Sequence, residues 1–239
     1  MSEIMVEGLG TTLRRMIQEA ALHASTLELT KHDVAYGCLD EDHSIYLVER
    51  GQLKAVTSTR EGKECLLGIY TAGDVFGELC LLGRERLETV TAMTHTIVKR
   101  ISSARIIAAL ANANLREEFV RYLTHRLFEQ QQFITNLITA DSEYRLATIL
   151  VHLGRKIGTR DGHLLRIEER ITQEELSAMV GTTRSRVGFF LKRFCQAGLV
   201  ARTPDCFLVL NEPRLHNFLI GTPLTQAPAP LAHRQPVLR

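Results

Sequence analysis

ITQEELSAMVGTTRSRVGFFLKRFCQAGLV, residues 171–200, reads as two short helices joined by a tight turn, the second of them basic. Thr172 followed by Glu175 is a capping box, in which the threonine oxygen accepts from the amide three residues on and the glutamate returns to the threonine amide. Leu176, Met179 and Val180 give the first helix one apolar face, and Gly181 ends it where positive φ is sterically free. Thr182 and Thr183 are candidate caps for the second helix. There Val187, Phe190, Leu191 and Phe194 form the stripe to be buried, which turns Thr183, Arg184, Ser185, Arg186, Phe189, Lys192 and Arg193 toward solvent or a partner. Between residues 181 and 202 stand Arg184, Arg186, Lys192, Arg193 and Arg202, with no acidic residue among them. Cap, apolar spacing, glycine turn and first-turn arginines together predict a helix-turn-helix that presents its second helix to base edges, rather than a hairpin with a solvated basic face.

The flanks extend this reading. Gly198 ends the second helix, and LVARTPDCFLVL, residues 199–210, reads as two short strands around a Pro-Asp turn, a wing that contacts the DNA backbone. Upstream, residues 156–169 read as a hairpin through Thr159-Arg160-Asp161-Gly162, and Asp141 caps a helix over residues 143–155.

Further back, residues 115–140 carry a helical period. Val120, Leu123, Leu127, Gln130, Ile134 and Leu137 are spaced 3, 4, 3, 4, 3, a heptad seam with one polar member that sets register. Phe119, Tyr122 and Phe133 lie beside the seam and are expected to pack on the preceding domain of the same chain. A seam of this length without a local partner predicts a parallel contact with a second copy of the chain.

From residue 27 to 101 the period changes to short apolar or alternating runs, VAYGCL, SIYLV, LKAVTS, CLLGIY, TVTAMT and TIVKRI, separated by turns at Gly37, Asp40 to His43, Gly51, Glu61-Gly62-Lys63 and Gly73-Asp74. Such runs predict an antiparallel sandwich or barrel. Residues 11–22 add a short amphipathic helix in front of it.

At 239 residues and 45% hydrophobic, the chain has room for two moderate cores. The formal charge is only +2, so the basic character is local to the C-terminal motif. Cys38, Cys65, Cys80, Cys195 and Cys206 are odd in number and form no C-x-x-C pair, which predicts a reducing cytoplasm rather than a disulfide framework. The opening residues lack a signal-peptide pattern, and no run approaches the ~20 apolar residues of a membrane span. Residues 221–239 hold four of the six prolines and are read as a disordered tail.

Residues 73–86, GDVFGELCLLGRER, add a more specific signal. With them the chain, from about residue 27 to 219, resembles the cyclic-AMP receptor / fumarate-nitrate regulator (Crp/Fnr) superfamily of bacterial transcription regulators. A β-roll with Gly-Asp-x-Phe-Gly-Glu-Leu, a long helix and a winged helix-turn-helix follow in the same order. The resemblance implies an α+β fold: a β-roll sensor domain over residues 1–113, a dimerisation helix over 114–140 and a winged helix-turn-helix over 141–220. It implies a homodimer that binds a two-fold symmetric DNA site through the helix 183–195, with RNA polymerase as a further partner and no membrane. Arg184 matches the family arginine that reads guanine, while Ser185 stands where many relatives have a glutamate.

In cyclic-nucleotide-binding relatives this segment cradles a phosphate, and the resemblance carries that effector pocket onto Gly77, Glu78, Leu79, Arg86, Leu87 and Glu88. Glu78 matches the ribose-binding glutamate and Arg86 the phosphate-binding arginine. Leu87 and Glu88 depart from the pattern, replacing a small hydroxyl residue and a small apolar one. A carboxylate there repels a phosphate, so a cyclic nucleotide is disfavoured, and Arg86 and Glu88 are expected to pair with each other. Gln130 and Gln131 fall where cyclic-AMP binders place hydroxyl residues in the long helix, and they are large enough to fill the pocket.

Iron–sulfur sensing needs an N-terminal cysteine cluster, and none precedes Cys38. Cys80 and His95 are candidate haem ligands, but a lone cysteine after Gly-Glu-Leu is read as core filling. The histidines form no H-x-H and no i, i+4 pair, so neither a metal site nor a metal-dependent jelly-roll enzyme is indicated. A β-roll module acting on a protein partner would leave the arginine-bearing helix without a role.

Overall fold

The computed structural model describes residues 8–58, 64–83, 85–203 and 207–221. The turns expected at Glu61-Gly62-Lys63 and Pro204-Asp205, and the tail beyond Gly221, lie outside the described residues. The chain divides into two compact units, Met1–Ile134 and Thr135–Arg239.

In the first unit, helix α1 (Leu9–Gln18) precedes strands β1 (Ser25–Leu29), β2 (Val34–Tyr36), β3 (Ser44–Arg50), β4 (Gln52–Ser58), β5 (Glu64–Thr71) and β6 (Val75–Phe76). A 3-10 turn over Glu78–Leu82 leads to β7 (Thr89–Ala92), β8 (Thr96–Ser102), helix α2 (Ser103–Ala109) and the long helix α3 (Ala113–Thr139), whose residues from Thr135 onward belong to the second unit. The strands form two four-stranded antiparallel sheets, ordered β1-β8-β3-β6 and β2-β7-β4-β5. This is the expected β-roll. Successive side chains of a strand point to opposite faces, and β3 uses both. Tyr46 and Val48 enter a core with Leu53, Phe76, Val90 and Val98, while Ile45 and Leu47 enter another with Leu13, Ile106, Leu115 and Phe119. An unbroken apolar run, SIYLV, follows from that double burial. Tyr122 half-buries its ring beside the second core and donates its hydroxyl to Val75 O at 3.1 Å. Phe133 does not join it. Its ring is 49% exposed, because the β-roll covers the first turns of α3 and Phe133 lies three turns beyond them.

The second unit contains helix α4 (Ser142–Ile157), strands β9 (Thr159–Asp161) and β10 (Leu164–Ile167), helices α5 (Gln173–Val180) and α6 (Arg184–Gln196), strands β11 (Val200–Ala201) and β12 (Leu208–Asn211), and helix α7 (Glu212–Leu219). Asp141 caps α4, its carboxylate accepting from the amides of Glu143 at 2.9 Å and Tyr144 at 2.8 Å. The strands form one antiparallel sheet ordered β11-β12-β10-β9. The hairpin before the helix-turn-helix and the wing after it are therefore one sheet, joined through β10 and β12. The expected α+β class, with a long helix and a C-terminal winged helix-turn-helix, is the one observed.

Candidate functional site

The helix-turn-helix is built as its sequence dictates. Thr172 and Glu175 form the capping box, with Thr172 N donating to the glutamate at 2.7 Å and Glu175 N to the threonine oxygen at 3.1 Å. Gly181 follows α5 with φ +67°, and a Cβ there would lie 2.8 Å from Leu137 Cδ1. The left-handed backbone is what calls for glycine here, since the contacted atom is the movable end of an exposed leucine side chain. Thr183 caps α6, its side chain accepting from Arg186 N at 3.3 Å. Val187, Phe190, Leu191 and Phe194 are buried, which fixes the rotation of α6. Thr183, Arg184, Ser185, Arg186, Phe189, Lys192 and Arg193 are all exposed.

At 100° per residue, Ser185, Phe189, Lys192 and Gln196 run along the line directly opposite the buried stripe. The side chains of Arg184, Ser185 and Lys192 make no hydrogen bond or ion pair among the described residues. Arg186 places its guanidinium 5.7 Å from the Phe190 ring centroid. Arg193 is engaged, donating to Glu143 at 2.9 Å while lying 5.9 Å from the Phe189 ring centroid. One further arginine, not singled out by the sequence, organises the motif from behind. Arg145 of α4 donates through Nε to Val180 O at 2.8 Å, through Nη1 to Ala140 O at 2.6 Å and Leu137 O at 3.2 Å, and through Nη2 to Gly181 O at 3.3 Å.

The turn after β6 presents a contrasting site. Gly77 has φ +85° and opens the 3-10 turn that carries Glu78. Arg86 is only 2% exposed and points into the β-roll. Its guanidinium donates to Gly77 O at 2.7 Å, to Asp42 Oδ2 at 2.6 Å and to Ser44 O, and lies 4.0 Å from the Tyr36 ring centroid. Asp42 is shared: Oδ1 accepts from Arg100 at 2.6 Å, and Oδ2 accepts also from the Tyr46 hydroxyl at 2.9 Å.

The expected Arg86–Glu88 pair is not formed. Glu88 is buried and accepts from the Tyr36 hydroxyl at 2.6 Å, and burial followed by this carboxylate pushes the Tyr36 phenol above its ordinary value. Asp42 takes the arginine because the roll brings β3 beside it, a partner 44 residues away. Glu78 lies 3.4 Å from Arg126 of α3. The side chains of Leu79 and Leu87 are exposed, as are Gln130 and Gln131.

The seam of α3 keeps its apolar members in view. Val120, Leu123, Leu127, Ile134 and Leu137 are all exposed, Leu127 by 57%, and Gln130 lies exposed among them.

These two sites occur on a chain whose residues 27–113 match the cyclic nucleotide-binding domain family and whose residues 144–218 match the Crp-like helix-turn-helix domain family. The chain belongs to the Crp/Fnr superfamily. Among relatives in the superfamily, the CRP-like cAMP-activated global transcriptional regulator of Mycobacterium tuberculosis is 28% identical over 207 residues, 83% of this chain and 92% of that one. The fumarate and nitrate reduction regulatory protein of Salmonella typhi is 24% identical over 177 residues, 74% of this chain and 71% of that one. The structure of FixK2 from Bradyrhizobium japonicum shares the fold with a TM-score of 0.69 at 20% identity, covering 87% of this chain and 100% of its own. As a Crp/Fnr member, the chain is a DNA-binding transcription regulator. None of its helices is long and apolar enough, among the described residues, to cross a membrane.

Proposed function

We propose that the protein acts as a homodimer in the cytoplasm, binding a two-fold symmetric duplex site with α6 of each copy in the major groove. The observation that carries this reading is the first turn of α6, where the side chains of Arg184 and Ser185 are exposed and make no polar contact among the described residues. A bidentate guanidinium to O6 and N7 of guanine is the commonest specific contact in the major groove, and Arg184 supplies it. Ser185 in place of an acidic residue moves the neighbouring base preference away from the usual family site. Lys192 serves the phosphates; Arg193 does so only after leaving Glu143. The exposed heptad seam of α3 supports the dimer, since a sustained row of apolar side chains at that spacing needs a matching helix. A regulator bound in this way also presents a surface to RNA polymerase and needs no enzymatic activity.

The residues present do not fit a cyclic phosphate. The arginine at the phosphate position is held by Asp42, Gly77 O and Ser44 O, Leu87 has no hydroxyl to donate, and Glu88 buries a carboxylate two residues from that arginine. Activation by cyclic AMP, stated of the Mycobacterium relative, is therefore not carried over; calorimetry is expected to detect no micromolar binding. Selection from random duplexes with the purified full chain tests the DNA reading. Enrichment of a symmetric site with a guanine in each half supports it, and the absence of any symmetric enriched site overturns it.

A further inference from the structure

Phe189 is a large apolar side chain in the place where a DNA-binding helix is expected to be polar. It is 59% exposed, and it lies on the line opposite the buried stripe, one turn beyond Ser185. Phe190 meets it edge-on at 5.8 Å between centroids and the Arg193 guanidinium lies at 5.9 Å, so the ring has neighbours at its base and flank while its outer face is free. An exposed aromatic ring on a surface helix gains only when another apolar surface covers it. Beside it at i−3, i+3 and i+4 stand Arg186, Lys192 and Arg193, a basic surround that suits a polyanion rather than an apolar protein partner.

A phenylalanine ring has no donor or acceptor, so it cannot read the N7, O6, N6 or N4 groups of the major groove. The apolar feature that the groove offers is the C5-methyl group of thymine. From the proposal that α6 enters the major groove, on which this inference rests, we infer that Phe189 reads a thymine methyl in each half-site. Arg184 and Phe189 are five residues apart, about 7.5 Å along the helix axis, so the guanine and the thymine belong to different base pairs of one half-site. The proposed half-site thus combines one guanine chosen by a charge-assisted fork and one thymine chosen by an apolar contact.

The test uses the full chain and the duplex enriched by selection, resynthesised with deoxyuridine replacing thymine at one position at a time. Uracil keeps every hydrogen-bonding group and removes only the methyl. At the contacted position this substitution is expected to weaken binding by about four-fold per half-site, the worth of one buried methyl group. Phe189→Ala is expected to bind the thymine and uracil duplexes alike, and Phe189→Leu to retain part of the discrimination; thermal melting of both variants checks that they fold. Equal binding of the two duplexes by the wild-type chain, at every thymine, overturns the methyl contact. So does discrimination that persists in Phe189→Ala. A duplex bend that disappears in Phe189→Ala without any uracil effect overturns it in favour of a wedge between base steps. Failure of the underlying DNA reading looks different: no symmetric duplex is enriched, and both proposals fall.

Discussion

The turn after β6 and the first turn of α6 each present an arginine, and the two guanidinium groups stand in opposite environments. Arg86 is buried, with Asp42 and two backbone carbonyls around it; Arg184 is exposed and makes no polar contact among the described residues. Desolvation forces the first to find partners inside the fold, because an isolated buried charge costs several kcal/mol. The second pays no such penalty and keeps its donors available. An arginine at a family binding position is thus a binding group only if the fold leaves its donors uncommitted. The seam of α3 belongs with Arg184 in this respect, since its apolar row is also left for a partner.

Five experiments separate the committed groups from the available ones. The largest effect is expected from Leu127→Glu, which places like charges against each other across the proposed dimer axis; sedimentation should change from dimer to monomer, and a wild-type monomer at micromolar concentration would remove the seam from the available class. Asp42→Ala leaves Arg86 buried without its carboxylate and should cost about 3–5 kcal/mol in denaturant unfolding. A cost within experimental error would show that Arg86 is not committed. Arg184→Ala should leave stability unchanged, weaken specific DNA binding by about 1–3 kcal/mol per half-site and relax the preference for guanine.

Acid sharpens the comparison further. Burial pushes the Asp42 carboxyl up, but hydrogen bonds from Arg86, Arg100, Ser44 and Tyr46 outweigh burial and hold it below the ordinary carboxylate range. A group depressed in this way stabilises the fold above its unfolded pKa of about 4, and the contribution is lost as pH falls through the lower native value. Wild-type urea midpoints should therefore drop more steeply across that acidic window than those of Asp42→Asn, and parallel curves would contradict the assignment. The smallest effect belongs to Lys192→Ala, which should weaken all duplexes alike and flatten the salt slope by about one.

Features set by neighbours in the chain were legible in the sequence. The capping box at Thr172 and Glu175, the glycine at 181, the buried stripe of α6 and the strand runs of the β-roll all rest on contacts within a few residues or on a short period. What was not legible depends on distant partners. Asp42 sits in DEDH, a run that reads as a solvated turn, and nothing near it in sequence announces Arg86. Proximity in sequence pairs Glu88 with Arg86, whereas the roll gives it Tyr36 instead. Phe133 shares the spacing of Phe119 and Tyr122 on α3, but how far the β-roll extends along that helix is a property of the assembled sheets. Arg145 lies in an ordinary amphipathic helix, and its role depends on two helix ends that converge only in the folded unit.

That convergence has an electrostatic consequence. The end of α3 and the end of α5 each carry roughly half a negative charge from their unpaired carbonyls, and two like ends brought together repel. The Arg145 guanidinium, donating to carbonyls of both, is their shared counter-ion. Shape alone does not hold the recognition turn against the last turn of the long helix; a single positive charge neutralises what would otherwise drive the two apart.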